Sequence, residues 1–153
     1  TLDTRKATDA ELDQIIAPAF LVIGALSDTA ENDRIGTLCR DHGVLFNSAA
    51  GEQGDVIFPA MAMGSHYTIA ITTGGESPAV SRFLRQDIEK RYPALDAMIA
   101  LQHRLREALK DKPISQGERR RILTAVIHDK LVWTLLKKSP ERAWERVRER
   151  YLA

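Results

Sequence analysis

Thr72-Thr73-Gly74-Gly75-Glu76-Ser77-Pro78 follows directly on the apolar run Ile69-Ala70-Ile71. Small residues allow a tight turn and let a ligand approach the backbone closely. Ser77 is a suitable acceptor for an orphan helical N–H, and Pro78 suits a first helical position, where its missing donor costs nothing. The open N–H groups of such a helix start attract an anion. A capped strand-to-helix turn that binds nothing has the same composition, so the rest of the chain has to decide.

The other residue types that do chemistry are few. His66 precedes the run that leads into the turn and is a candidate proton relay. His42 stands at a helix end, where a positive charge is favourable, and His103 and His128 lie in helical stretches and read as structural. No two histidines stand at a ligand spacing such as i, i+4, and with Cys39 the single cysteine there is no cysteine pair for a thiolate zinc site, so no permanent metal site is expected. Cys39 reads as a small core residue, and one cysteine fits a reducing cytoplasm.

The elements that must position these groups are laid out by composition and period. The chain has 153 residues, 44% hydrophobic and 28% charged, as in an ordinary soluble globular protein with a sizeable core. The longest apolar stretch, residues 17–26, is too short for a bilayer and contains Pro18 and Gly24. No signal peptide is visible, and a start on Thr1 reads as a processed or partial chain. The net charge of +1 divides unevenly. Residues 1–76 hold 4 Lys and Arg against 11 Asp and Glu, whereas residues 77–153 hold 18 against 10. An acidic half thus precedes a basic one, and the boundary falls at the turn.

In the acidic half, residues 8–16 read as a short helix with Asp9 as a possible cap. Phe20-Leu21-Val22-Ile23-Gly24-Ala25-Leu26 suits a strand buried on both faces. Asp28 and Glu31 have the spacing of a capping box for a helix that carries Ile35, Leu38 and Cys39 on one face and stops at Gly43. Val44-Leu45-Phe46-Asn47 then makes a second strand, and the three together a βαβ unit. Residues 48–55 read as a loop beyond the carboxyl end of that strand, where parallel sheets present ligand-binding loops. Residues 56–59 are a brief apolar return and residues 66–72 a further strand. In the basic half, one helical face carries Phe83, Leu84, Ile88 and Tyr92. A second carries Leu95, Met98, Ile99, Leu105 and Leu109, and a third runs from Ile122 to Leu135. A short terminal helix from Pro140 carries Trp144, Val147 and Tyr151.

These residues carry a family resemblance. Residues 20–25, Asn32-Asp33-Arg34-Ile35, Asn47, Val56-Ile57-Phe58-Pro59-Ala60, the stretch 68–79 around the turn, and Gln116-Gly117-Glu118-Arg119-Arg120-Arg121 together resemble the precorrin-2 dehydrogenase and ferrochelatase module of siroheme synthase, in order along nearly the whole chain. The resemblance implies an α/β protein with a Rossmann-type, mostly parallel sheet followed by helices. Residues 1–76 would be a partial NAD-binding domain with the start of a dimerisation region, and residues 77–153 a dimerisation helix and a basic helical domain. It implies a cytoplasmic homodimer that oxidises precorrin-2 to sirohydrochlorin with NAD, with iron insertion in some members, and neither nucleic acid nor membrane as partner. Thr72, Thr73, Gly74, Gly75 and Ser77 would line the tetrapyrrole or nicotinamide side of a cleft, with Asn47 at the neighbouring strand end and Asp55 and His66 handling protons. The basic half suits a tetrapyrrole rich in carboxylates.

Two departures qualify this. The chain contains no G-x-G-x-x-G, the fingerprint of a pyrophosphate cradle, so the first βαβ portion is expected to be missing, with residues 1–6 the remnant of what followed it. The family's aspartate a few residues after Asn47 is Ala50 here, and alanine moves no proton, which weighs against chelatase chemistry. Asp55 is the nearest acid to replace it, and Glu52 the next. The alternative is a tetrapyrrole-binding or carrier module without turnover. A nucleic-acid binder is the weakest reading, because no aromatic-interleaved basic stretch or helix-turn-helix is present.

Overall fold

The computed structural model describes residues 7–50 and 54–152. They form two compact units. One holds the described residues up to Pro59 together with residues 72–77, and the other holds residues 60–71 and those from Pro78 onward.

In the first unit, helix α1 (Asp9–Ile16) begins at Thr8 rather than at Asp9. The Thr8 hydroxyl accepts the Glu11 N–H, and the Glu11 carboxylate accepts the Thr8 N–H, a reciprocal capping box. Strand β1 (Leu21–Gly24), helix α2 (Thr29–Asp41) and strand β2 (Leu45–Ser48) fall where the sequence predicts, and β1 pairs with β2 in parallel, Leu21 beside Leu45. The expected burial of the first run on both faces does not hold, since Phe20 and Ile23 are exposed and, among the described residues, β1 has only β2 beside it. Asp28 caps α2 by accepting the N–H groups of Ala30 and Glu31. Ile16, Cys39, Val44 and Phe46 form the core, with Leu12, Val22, Ile35 and Leu38 packed around them. The Phe46 ring packs against Gly24 and Gly36, where a Cβ would come within 2.7 and 2.8 Å of it. Glycine on both the strand and the helix is what lets the two elements close over that ring.

The apolar run that leads into the turn does not extend the parallel pair. Strand β3 (Ala60–Met63) and strand β4 (Thr68–Ile71) form an antiparallel hairpin in the second unit, with Ala60 beside Ile71. Residues 64–67 are too few for a parallel crossover, which takes a dozen residues or more, so a hairpin is the arrangement open to them. The α/β class stands, with one parallel pair and one hairpin among the described residues.

Helix α3 (Pro78–Arg91) packs on this hairpin. Helices α4 (Leu95–Lys110), α5 (Gln116–His128), α6 (Lys130–Leu136) and α7 (Pro140–Val147) then build a core around Met98, Leu101, Leu105, Leu109, Val126 and Val132, closed by Trp144 and Val147. The helix expected to run on to Leu135 is broken at Asp129. That residue adopts an extended ψ of 104° and its carboxylate accepts the N–H groups of Leu131 and Val132, starting α6 afresh. Its second oxygen accepts the Tyr151 hydroxyl at 3.0 Å. Burial pushes the Asp129 carboxyl up, but the donors Tyr151, Leu131 and Val132 outweigh it and hold the group below its ordinary range.

Candidate functional site

The residues proposed for chemistry in the first unit gather at the carboxyl end of β2. Asn47 is buried and donates from Nδ2 to the Val56 carbonyl at 2.7 Å. Asp55, exposed, accepts the Phe46 N–H at 3.1 Å through Oδ2. The Val56 N–H donates in turn to the Phe46 carbonyl at 3.0 Å. The chain thus returns beside β2 after the loop, with Gly54 so close to the Phe46 carbonyl that no Cβ would fit between them. One carboxylate oxygen of Asp55 is thereby committed to the backbone. The other has no partner among the described residues. Glu52, the second candidate acid, lies outside the described residues. The Asp55 charge is also felt by Cys39, whose thiol is pushed up by burial first and by Asp55 second, which leaves it an inert core group.

The turn at residues 72–77 belongs to the same unit. Gly74 and Gly75 have φ of 66° and 91°, the left-handed region that a side chain would strain. The threonines tie the turn down from within. The Gly74 N–H donates to Thr72 Oγ1 at 3.1 Å, the Ser77 N–H to Thr73 Oγ1 at 3.0 Å, and the Glu76 N–H to the Thr73 carbonyl at 3.1 Å. A ligand therefore meets an already ordered turn, in which the Gly75 N–H is unspent among the described residues.

His66 lies in the second unit, in the β3–β4 turn. Its backbone N–H and that of Ser65 donate to the two oxygens of Asp96, at 2.8 and 2.9 Å. The Ser65 bond first and the His66 bond second hold the Asp96 carboxyl below its ordinary range. A pKa lower in the folded than in the unfolded chain means that the folded state binds fewer protons. The anchoring is then complete above the ordinary carboxylate value of about 3.9 and is lost as pH falls through the lower folded value. The Ser65 and His66 amide resonances are expected to titrate together over that acid range, and Asp96→Asn should abolish the titration in an NMR pH series.

Sequence reasoning passed over the residue that organises the strand ends. Asn32 is fully buried on α2. Its Oδ1 accepts the Leu26 N–H at 3.0 Å, and its Nδ2 donates to the carbonyls of Leu26 and Ala50 at 2.9 and 3.2 Å. One side chain thus clamps the segment after β1 and the segment after β2. The signal was present, since Asn32 shares its helix face with Ile35 and Cys39, where a polar residue has to be satisfied.

A dinucleotide has to find a cradle in the first unit. The start of α1 is closed by its capping box, and the amides of Ala30 and Glu31 at the start of α2 are held by the Asp28 carboxylate, whose charge opposes a phosphate. Neither of these two helix starts is therefore a ready cradle for the pyrophosphate of NAD. No cluster of His, Cys, Asp and Glu able to hold a metal occurs among the described residues.

Residues 2–60 match the family described as "Putative NAD(P)-binding". The chain is 38% identical over 146 residues to the precorrin-2 dehydrogenase of Methanosarcina barkeri, covering 95% of this chain and 65% of that one. It is 34% identical over 113 residues to siroheme synthase 1 of Yersinia enterocolitica, covering 72% of this chain and 23% of that one. It therefore spans less than two thirds of either relative. In three dimensions it matches the solved structure of SirC, a precorrin-2 dehydrogenase, with a TM-score of 0.61 at 19% identity, over 96% of this chain and 70% of that one, a likeness of fold. In sequence and in fold, the chain is thus similar to precorrin-2 dehydrogenases along most of its own length.

Proposed function

We propose that the protein takes part in siroheme biosynthesis by oxidising precorrin-2 to sirohydrochlorin with NAD, in the cytoplasm and as a homodimer. The observation that carries this is the 38% identity to a precorrin-2 dehydrogenase along 95% of the chain. NAD as oxidant is supported by the match of residues 2–60 to an NAD(P)-binding family. When bound, NAD accepts a hydride, and the protein has to orient the substrate and take up a proton.

For those tasks the strand end offers Asp55, with one oxygen fixed by Phe46 and the other available, and Asn47, which holds the returning chain beside it. His66 is retained as a second proton-handling candidate. Thr72, Thr73, Gly74, Gly75 and Ser77 are assigned to the substrate. Their turn is preorganised, and an unspent amide there suits a carboxylate better than a bulky phosphate chain. We assign residues 1–76 to the cofactor side and residues 77–153 to dimerisation and substrate binding. The homodimer is supported by the open apolar face of α3, and the cytoplasmic setting by a single free cysteine, buried in the fold.

Anaerobic incubation of the full-length protein with precorrin-2 and NAD tests the proposal. NADH and sirohydrochlorin are expected to form in equal amounts. Tight tetrapyrrole binding without turnover would replace it by the carrier reading, under which Ala50→Asp should create activity. Neither turnover nor binding would remove both.

A further inference from the structure

The two connections that flank α5 are fastened to one short segment. Helix α7 runs into a single π-helical turn, Arg148–Leu152. Its Tyr151 hydroxyl donates to Asp129 Oδ2 at 3.0 Å, at the break between α5 and α6. Its Leu152 carbonyl accepts the Lys112 ammonium, in the connection between α4 and α5. From Lys112 the path continues into α5 itself, because Arg119 donates to the Lys110 and Lys112 carbonyls, both at 3.1 Å. Five residues thus clasp a helix of 13 at both of its ends.

That helix needs holding. α5 fully buries Val126 alone, whereas α4 buries Met98, Leu101, Leu105 and Leu109, and α6 and α7 each bury two residues or more. Buried apolar contact is what keeps a helix in its bundle, so α5 is the least anchored of the four. A bond from Gln102 Nε2 to the Leu123 carbonyl at 3.1 Å holds its middle. The two latches also carry a penalty. Among the described residues, the buried side-chain donors without an acceptor are Arg119 Nε and Arg146 Nε. Arg119 stands beside the Lys112 latch, and Arg146 is near enough to Asp129 for its charge to act on that carboxyl. A buried N–H without a partner is costly, and water supplies one when the segment around it opens. The closed form therefore bears a cost at each end of α5 that an open form does not.

We propose that residues 148–152 are a strap that holds α5 closed against α4, and that releasing it lets α5 swing away as a unit. Isolated π turns are rare and occur frequently at functional sites. What opens is the groove of about 480 Å³ between α4 and α5, whose walls include Gln102, Leu109, Leu123 and Ile127. Both latches sit on the same turn, one residue apart, so the two ends of α5 are coupled and loosening either frees both. The device governs access to the helical unit. It rests on no assignment of substrate, because the motion is read from the backbone itself.

Hydrogen exchange of the whole protein, followed amide by amide by NMR, tests the coupling. Lys112→Met keeps the aliphatic stem and removes the ammonium, and Tyr151→Phe keeps the ring and removes the hydroxyl. Lys112→Met is expected to speed exchange about tenfold at Leu131 and Val132, whose amides are held by Asp129 and not by Lys112. Tyr151→Phe should do the same at Ile114 and Arg119, at the other end of α5. Amides within α5 should follow in both variants, and those of α4 from Met98 to Leu105 should not. A variant that loosens only its own end would reduce the strap to two separate bonds and overturn the proposal. So would unchanged exchange, or an equal loss of protection in α4, which marks a general destabilisation.

Discussion

Replacing Asn32 by leucine is expected to lower the stability of the strand-bearing unit by about 2–4 kcal/mol, although leucine matches the residue in size and suits a buried helix face. The side chain makes three hydrogen bonds from a fully buried position, two to Leu26 and one to Ala50. Leucine supplies none, and the orphaned Leu26 and Ala50 groups carry the cost, about 1–3 kcal/mol for each one that water cannot reach. In a unit of this size that corresponds to a fall in Tm of roughly 10 °C or more. Asn32→Asp separates the parts of the effect. It keeps the acceptor for Leu26 N–H but loses both donors and faces two carbonyls with a charge, so it should be as damaging or worse. The functional consequence follows from what the clamp holds. The segments after β1 and β2 form the rim beside Asn47 and Asp55, so any turnover should fall more steeply than the folded fraction does. Circular dichroism melts with hydrogen exchange at Leu26 check the first point, and rate measured against folded fraction checks the second. An unchanged melting temperature would mean that the clamp does not hold the strand ends.

How far the sequence foretold this can be seen in the same residues. Phe20 to Asn47 was legible because each signal is local. A continuous apolar run, an acidic cap three residues before a glutamate, a periodic face and a terminating glycine all act within one or two turns of chain, and β1, α2 and β2 fell where they pointed. The pairing of residues 60–71 was not legible in the same way. Their apolar content says strand but not neighbour, and the decision came from a linker too short to cross over. Asp129 was hidden for a related reason. Hydrophobic period alone carries a helix through it, whereas the side chain gains more by capping a new helix and accepting the Tyr151 hydroxyl than by staying in the old one. At the candidate site, Asn47, Asp55 and the threonine-glycine turn were visible as types. Their partners were not, because a bond such as that from Phe46 N–H to Asp55 depends on the return of the chain over Gly54. Asn32 stood in plain view on an apolar face, and its significance emerges only once the strand-end carbonyls are in place.

The largest effect on assembly is expected from Phe83→Glu. Periodicity placed Phe83, Leu84, Ile88 and Tyr92 on one face of α3, as if to be buried. Within the chain, however, Phe83 remains 64% exposed, and Val80, Leu84 and Tyr92 are exposed as well. Met61 and Met63 of the hairpin on which α3 packs are open too. A helix with a charged face stabilised by pairs such as Arg85 with Glu89 at 2.8 Å has no need of a second, apolar face toward water. A second copy of the chain would satisfy it, and a two-fold interface presents each residue twice. Full burial of one Phe side chain is worth about 1.5–3 kcal/mol. Two copies therefore supply roughly 3–6 kcal/mol, or on the order of 10² to 10⁴ in dimer affinity. Glutamate removes this and adds two unpaired carboxylates at the interface, so the variant should sediment as a monomer at concentrations where the parent is a dimer. Its circular dichroism should stay unchanged, because Phe83 contributes little to the core of its own chain. Phe83→Leu, which keeps an apolar side chain, should retain most of the association. Equilibrium sedimentation of the three proteins separates the cases. A parent chain that stays monomeric at micromolar concentration would withdraw the homodimer from the proposed function and leave the α3 face to some other partner.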